Sequence, residues 1–222
     1  MKKSSKRYAV LTCDVIRSRR FDTENFSKVL RAAIDETNRL FFKNMHRKFE
    51  IMFGDSFQCV LSVPHKFFDV FQHIEEELWL GGAGAFGRKN PVLVRCGAGI
   101  GTIDNPDAKL GEMTGEAFIL ARKALNQTKK VHKMSILRIS PIENANDELL
   151  QVAIELACAV KSRWTYSHRR ILREYRKNQS ATQEEIAKKL GISQPYLSRL
   201  LDETNINAME KLRGIIERYN YI

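Results

Sequence analysis

Residues 49–58 read FEIMFGDSFQ, and this stretch decides how the first half of the chain is interpreted. Every second residue from Phe49 to Phe53 is strongly apolar, which is the period of a β-strand with one buried face. The pattern stops at Gly54-Asp55 and resumes in the apolar run SFQCVLSV. The sequence therefore predicts a β-hairpin with Asp55 at its turn, where the carboxylate either fills the turn or holds a ligand.

The segments around this hairpin alternate between strand and helix patterns. Strands are predicted at the apolar runs 7–15, 92–103 and 134–140, and helices begin at Phe26, Pro64 and Gly115. The glycine-rich stretch at 81–91 is predicted to be a loop. The order β-α-β-β-α-β-α-β predicts an α+β fold: a ferredoxin-like (βαββαβ) palm domain over residues 1–142, with helices on one side of a single mixed sheet.

A polar break at 140–148 separates this domain from a second one, predicted to be all-α over residues 147–222. Residues 182–201, TQEEIAKKLGISQPYLSRLL, have the spacing of a helix-turn-helix. A capping box opens the first helix, Gly191 has the place of a left-handed residue at its end, and a serine caps the second helix.

A helix-turn-helix inserts the start of its second helix into the major groove of duplex DNA. The outward side chains of this unit are therefore predicted to contact DNA: Thr182, Ser193, Gln194, Tyr196, Ser198 and Arg199. The alternative is a helical hairpin used for protein contacts. A formal net charge of +11 favours a polyanionic partner. Seven basic side chains between Lys161 and Lys177 are predicted to grip the phosphate backbone or to form a solvated face.

Asp14 ends the first strand and Asp55 sits on the hairpin, so both carboxylates are expected at the same edge of the sheet. Two adjacent carboxylates repel each other unless a cation or proton lies between them, and Mg²⁺ is the predicted occupant. Arg17, Ser18 and Arg19 follow directly and are predicted to contact the phosphates of a nucleotide. The alternative is a strand cap, a turn residue and a basic surface turn.

Three motifs resemble the palm-type catalytic domain of class III nucleotidyl cyclases: LTCDVIRSRR at 11–20, GDSF at 54–57, and VRCGAGIGT with the helix that opens at Gly115. The resemblance implies that Asp14 and Asp55 are metal ligands and that Lys123 replaces a phosphate-binding arginine. The position of the cyclase transition-state asparagine is Ile119 here, and that of the base-recognising lysine is Ile51. The resemblance therefore implies metal or nucleotide binding without ordinary cyclase activity.

As a whole the chain resembles the SatD family, through DVIRSR near the start, GDSFQ on the hairpin and the tryptophan-containing helix SRWTYSHRRILREY before the helix-turn-helix. Together these features predict a homodimeric, DNA-binding transcriptional regulator whose N-terminal domain senses a nucleotide or metal, or serves for dimerisation. The alternatives are a Mg²⁺-dependent nucleotidyl- or phosphoryl-transfer enzyme with an accessory DNA-binding domain, and a protein–protein adaptor.

The composition limits the remaining function classes. Four cysteines lie far apart in the sequence, which argues against a CxxC zinc or redox site and favours a reduced, cytoplasmic setting. No apolar run approaches the roughly 18–20 residues of a membrane span, so no membrane partner is expected.

Overall fold

One five-stranded sheet forms the first part of the computed structural model, which describes residues 6–178 and 180–219. Its strands are β1 (Tyr8–Val15), β2 (Met45–Phe53), β3 (Ser56–Leu61), β4 (Val94–Gly101) and β5 (Ile136–Ser140). The order across the sheet is β2-β3-β1-β4-β5. Every neighbouring pair is antiparallel except β4 and β5, which run parallel. The α+β class predicted from the sequence is confirmed.

Eight α-helices are described. Three lie between the strands, at α1 (Thr23–Leu40), α2 (Phe67–Phe86) and α3 (Glu116–Gln127). Five follow the sheet, at α4 (Ala145–Ser162), α5 (Tyr166–Lys177), α6 (Gln183–Leu190), α7 (Gln194–Glu203) and α8 (Ile206–Arg218). Along the described residues, every helix is too short or too polar to cross a membrane.

Helices cover both faces of the sheet, which corrects the expectation of helices on one side. Alternate residues of β1 point to opposite faces: Leu11 packs in one core cluster with Leu30 of α1 and Phe71 of α2. Val10 packs in another cluster with Ala121 of α3. The sequence order alone did not reveal this because α3 joins two parallel strands, and such a crossover can lie on either face until the strand order is known.

Glycines on β4 let α3 lie directly against the strand. A Cβ atom at Gly97 would lie 2.2 Å from the carbonyl oxygen of Ala121, and a Cβ at Gly99 would lie 2.2 Å from that of Ala117. Real Cβ atoms do not approach backbone this closely, so the helix and strand need glycine here. The element that approaches β4 at these glycines is therefore helix α3.

Helix α2 continues through the glycine-rich stretch that was predicted to be a loop. The helix ends only at Phe86, and Gly87 follows with φ 90°. Gly82 faces the strand entry so closely that a Cβ there would lie 2.4 Å from the backbone nitrogen of Val92. The small residues therefore serve tertiary packing, and that packing offsets their low helix propensity of about 1 kcal/mol per glycine relative to alanine.

The C-terminal helices share the core of the sheet. Leu150 and Ile154 of α4 belong to the same buried cluster as Leu137 and Ile139 of β5. The Gln151 side chain accepts a hydrogen bond from the backbone nitrogen of Ile139 at 2.8 Å and donates to the carbonyl of Leu137 at 3.4 Å. A side chain of α4 thus supplies hydrogen bonds that a sixth strand would make.

The opposite edge of the sheet is irregular. The pairing of β2 with β3 shifts register at three places between Met45 and Phe53. Such shifts are β-bulges, which bend and twist an edge strand. Phe53 ends this strand beside the turn and is 87% exposed.

We expect Gly99→Ala to lower the free energy of unfolding by about 1–3 kcal/mol, because a methyl group there collides with backbone rather than with a movable side chain. Gly84→Ala is the control: nothing lies within 4 Å of its Cβ position in α2. The control should gain about 0.5–1 kcal/mol from helix propensity. Urea unfolding of both variants tests this, and equal effects would contradict the close-approach argument.

Candidate functional site

Three strand ends bring Asp14, Asp55 and Arg95 together. Asp14 pairs in register with Ser56 of β3 and with Arg95 of β4. Asp55 precedes Ser56 in the hairpin turn, where Gly54 adopts a left-handed φ of 58°. The two aspartates predicted from the sequence are therefore neighbours at one edge of the sheet.

Arg95 forms an ion pair with Asp14. Its Nε lies 2.9 Å and its Nη2 lies 2.6 Å from the same carboxylate oxygen, Oδ2 of Asp14. The side chains of Arg95 and Asp14 are 19% and 25% exposed. Oδ1 of Asp14 does not take part in this ion pair.

Burial is the main cause that raises the pKa of Asp14 above its usual range. The hydrogen bond from Arg95 opposes this shift, while the charge of Asp55 and a hydrogen bond with Asp55 raise the pKa further. A proton or a cation would relieve the repulsion between the two carboxylates. The edge therefore carries more negative charge than one guanidinium neutralises.

The donor set fits a magnesium ion that keeps most of its own ligands. Within the described parts of the chain, no three or more His, Cys, Asp and Glu side chains cluster as a metal site. Mg²⁺ is commonly held by one or two carboxylates, with phosphate oxygens and water completing its octahedron. Asp14 and Asp55 would hold such an ion, which would supply charge neutralisation for bound phosphates.

A cleft of about 480 Å³ opens over these carboxylates. It is lined by Asp14, Val15, Arg17, Ser18, Arg19, Arg20, Asp55 and Arg95. Arg17 has φ 55°, a left-handed conformation that a non-glycine residue seldom adopts. This turn folds the chain back, so that the arginines and Ser18 follow Asp14 along the same wall.

The structure places three of the four residues predicted to bind phosphate on this cleft: Arg17, Ser18 and Arg19. The fourth, Lys123, is exposed on α3 and is not among the lining residues. No site role was predicted for Arg20 or Arg95 from the sequence. The pairing register of β1 with β4 would have indicated Arg95, but that register is not visible in the sequence.

The predicted helix-turn-helix segment forms two capped helices. The Thr182 hydroxyl accepts a hydrogen bond from the Glu185 backbone nitrogen, and the Glu185 carboxylate accepts one from Thr182. Gly191 ends α6 with φ 66°, and the Ser193 hydroxyl caps α7 through the Tyr196 nitrogen at 3.3 Å. Leu197 is buried on the inner side of α7.

The residues predicted to contact DNA lie on the outside of this segment. Thr182, Ser193, Gln194, Tyr196 and Arg199 are exposed, and Ser198 is half-buried. The Gln194 amide donates to the Gln183 side chain at 3.3 Å, and the Arg199 guanidinium lies 5.9 Å from the centre of the Tyr196 ring. Arg199 therefore keeps its charge at the surface.

Four of the seven basic residues between Lys161 and Lys177 pair with glutamates of α2, which corrects for these four the expectation that they grip phosphates or face solvent. The other three, Arg163, Arg170 and Lys177, are exposed. The ammonium of Lys161 and the guanidinium of Arg169 both contact the buried Glu75 carboxylate of α2, at 2.7 and 3.0 Å. Two further arginines of α5 pair with the next two glutamates of α2. The run GluGluGlu on a helix that also carries buried phenylalanines was the signal for this docking.

Electrostatics favour the charged form of Glu75 despite its burial. Burial alone raises the pKa of this carboxyl, but the charges and hydrogen bonds of Arg169 and Lys161 outweigh it and lower the pKa to about 2. Burial also lowers the pKa of Lys161, and Glu75 opposes that shift. The three side chains therefore form one ionic cluster, which we call the Glu75 cluster.

His73, two residues before Glu75 on α2, makes stability depend on pH. Burial, followed by the charge of Arg173, lowers its pKa from 6.5 to about 4; Lys161 and Arg176 add to this, and Glu36 opposes it. Glu77 lies 3.9 Å from its ring and the Phe41 ring packs against it edge-on. Between pH 6.5 and 4 the unfolded chain therefore binds a proton that the folded chain excludes, and stability falls as pH falls.

We expect this histidine to account for a loss of about 2 kcal/mol in unfolding free energy between pH 7 and 5. Urea unfolding of His73→Gln at pH 7 and pH 5 should give two unfolding free energies whose difference is smaller than in the parent by about 2 kcal/mol. His132→Gln, at an exposed position, is the control and should keep the dependence of the parent. An unchanged dependence in His73→Gln would show that His73 titrates normally.

Comparison with known proteins gives a family, and solved structures similar to this chain include two adenylyl cyclases. A bacterial light-regulated adenylyl cyclase aligns at 12% identity over 60% of this chain and 75% of that chain, with a TM-score of 0.45. The adenylyl cyclase CyaB from P. aeruginosa aligns at 15% identity over 62% of this chain and 79% of that chain, with a TM-score of 0.41. No curated protein matches the sequence. The profile of the SatD family matches residues 8–214, so the chain belongs to the SatD family, as its motifs predicted.

Proposed function

We propose that this protein is a DNA-binding regulator, with α6 and α7 forming a helix-turn-helix. The observation that carries the proposal is the capped pair itself: a capping box at Thr182, a left-handed Gly191 and a second cap at Ser193. These three features fix the turn and leave the start of α7 exposed. That is the part of such a unit that enters the major groove.

The exposed side chains of α7 suit this contact. Gln194 carries an amide that pairs with an adenine edge, and Arg199 carries a charge for a phosphate or a guanine edge. The Glu75 cluster and its neighbouring ion pairs remove four of the seven basic residues from the expected phosphate contacts. DNA affinity therefore rests on α7 and its flanks rather than on α5, and a homodimer would double that contact.

We expect Arg199→Ala to weaken binding to a fluorescein-labelled duplex of mixed sequence by about tenfold at low salt, because a charged contact is lost. Fluorescence anisotropy between about 50 and 200 mM salt measures the affinity and its salt slope, which should also fall. Arg31→Ala, which removes an exposed charge on α1, should bind like the parent.

Two results would overturn the DNA proposal. The parent protein could show no duplex binding at low salt. Alternatively, the Arg31 and Arg199 variants could lose the same affinity, which would show that only the net charge matters.

The N-terminal domain is proposed to be a ferredoxin-like palm that binds Mg²⁺ and a nucleotide. Each neighbouring pair in the order β2-β3-β1-β4 is antiparallel, and α1 and α2 lie on one face of these strands. Both features support the ferredoxin-like assignment. Asp14, Asp55 and the Arg17–Arg19 turn come from two separate segments and line one cleft. A phosphate chain would reach the metal at the carboxylates and the guanidinium groups on the wall.

A second candidate function is nucleotidyl or phosphoryl transfer in this cleft. The specific observation that favours it is the pairing of adjacent carboxylates with arginines, the groups that neutralise charge in phosphoryl transfer. Ile51 and Ile119 supply no polar group, and Ile119 is 71% exposed. The sensing role is therefore preferred over catalysis.

We expect Asp55→Asn to weaken the binding of Mn²⁺, used as a probe for Mg²⁺, by at least about tenfold, because one of two anionic ligands is lost. Calorimetric titration with Mn²⁺ and ATP measures this. Glu50→Gln, an exposed residue of the same hairpin, is the control. Equal affinities in the two variants would contradict the site, and Mg²⁺-dependent ATP turnover lost in Asp55→Asn would support the enzyme.

A further inference from the structure

A second cavity, separate from the Asp14–Asp55 cleft, lies where the C-terminal helices meet the sheet domain. It has a volume of about 290 Å³. Its walls come from α2, from the loops that enter β4 and β5, from the end of α4 and from α5. The charged and titratable residues that line it are Arg20, Glu75, Lys89, His132, Lys133, Cys158, Lys161 and Arg169.

The floor of this cavity carries an excess of buried positive charge. Lys161 and Arg169 are 3% and 1% exposed, and both depend on the single carboxylate of Glu75. Their other hydrogen bonds go to neutral acceptors: Lys161 donates to the Gln72 carbonyl at 3.0 Å, and Arg169 donates to the Lys161 carbonyl at 3.0 Å. A buried charge without full compensation favours a counter-ion.

The same wall is short of hydrogen-bond acceptors. The Nε of Arg169 and the Nε2 of Gln72 are buried and have no hydrogen-bond partner among the described residues. Buried donors of this kind are uncommon, and an additional acceptor close to them lowers their cost. The chemistry that this wall lacks is therefore an anion with several oxygen atoms.

Further cations surround the opening. Lys89 and Lys133 extend from two different loops and are exposed. Arg20 donates to the Pro91 carbonyl at 2.8 Å, and none of these three forms an ion pair within the described chain. The cavity is thus lined by five cationic side chains and one carboxylate, and its volume is close to that of a small ligand site.

We propose that this cavity binds a small phosphorylated anion, with its phosphate oxygens directed to Lys161 and Arg169 and its remaining charge to Lys89 and Lys133. Phosphate suits the site because several cations converge on it. The Arg169 guanidinium lies 4.4 Å from the centre of the Trp79 ring and covers one face of it, so that face is not open for a nucleobase to stack on. The ligand class is therefore a pyrophosphate or compact phosphorylated metabolite.

The ligand would contact the sheet domain and helices α4 and α5, and through Arg20 it would lie next to the Asp14–Asp55 cleft. The cavity walls belong both to the sheet domain and to α4 and α5, which lead into α6, so a bound anion would stabilise their docking. Arg20 also lines the Asp14–Asp55 cleft. This site does not depend on the proposed DNA or nucleotide function, since its residues are distinct from those of α7 and from the two aspartates.

The test uses the full chain and pyrophosphate, with binding measured by calorimetry and by the shift in thermal unfolding. The double variant Lys89→Ala/Lys133→Ala should lose at least about tenfold in affinity. Both residues are exposed, so the fold should be retained. Lys129→Ala/Lys130→Ala removes the same charge from exposed positions of a nearby loop that do not line the cavity, and this control should bind like the parent.

A cleft variant, Arg17→Ala/Arg19→Ala, separates this site from the proposed nucleotide site. It should keep pyrophosphate binding at the cavity. The proposal is overturned if the parent does not bind pyrophosphate at low salt, if the two lysine pairs lose affinity equally, or if only the cleft variant loses it. The last result would assign the anion to the Asp14–Asp55 cleft.

Discussion

The contact of Glu75 with Lys161 and Arg169 holds the two halves of this protein in one arrangement. All three side chains are buried, so each would be costly to bury alone. Removal of one member of a buried ion pair typically costs about 3–5 kcal/mol, because the remaining charge stays in a poor environment. Helix α5 therefore has one favourable position on α2. This position also fixes where the following helices, α6 to α8, begin.

The carboxylate cleft depends on a different constraint, the register of antiparallel strands. Asp14 lies opposite Ser56 on one side and Arg95 on the other. A slip of one residue in either pair would turn Asp14 toward the core and the cysteine beside it toward the cleft. The packing of α3 against Gly97 and Gly99 disfavours such a shift of β4, because a residue with a Cβ atom at either position would collide with the helix backbone.

The sequence predicted those features that depend on neighbours in the chain. The hairpin at Gly54-Asp55 and the caps at Thr182 and Ser193 follow from local patterns, and the structure has all three. The side of the sheet that α3 covers, the helical state of Gly82 and the partners of Arg169 depend on distant residues. The three consecutive glutamates of α2 indicate a basic partner, but no local pattern shows that this partner is the basic helix α5, so the charge of α5 was assigned to solvent or nucleic acid.

In the candidate site, too, some residues could be predicted from local sequence and others depend on distant contacts. Asp14 and Asp55 were paired from the expected neighbourhood of their strands, and the structure places them side by side. Arg95 and Arg20 were missed as site residues, since their positions follow from strand register and from the left-handed turn at Arg17. Lys123 was chosen from the cyclase resemblance alone, and the cleft is formed without it.

The side chain of Gln151 limits how another protein could add a strand to this sheet. It occupies the backbone nitrogen of Ile139 and the carbonyl of Leu137, two groups of β5 that an incoming strand would use, and α4 packs beside β5. On the far side of the sheet, β2 bends away through its bulges yet ends in the exposed Phe53. A partner that extends this sheet by strand addition therefore has only the hairpin side open to it among the described edges, next to the two carboxylates.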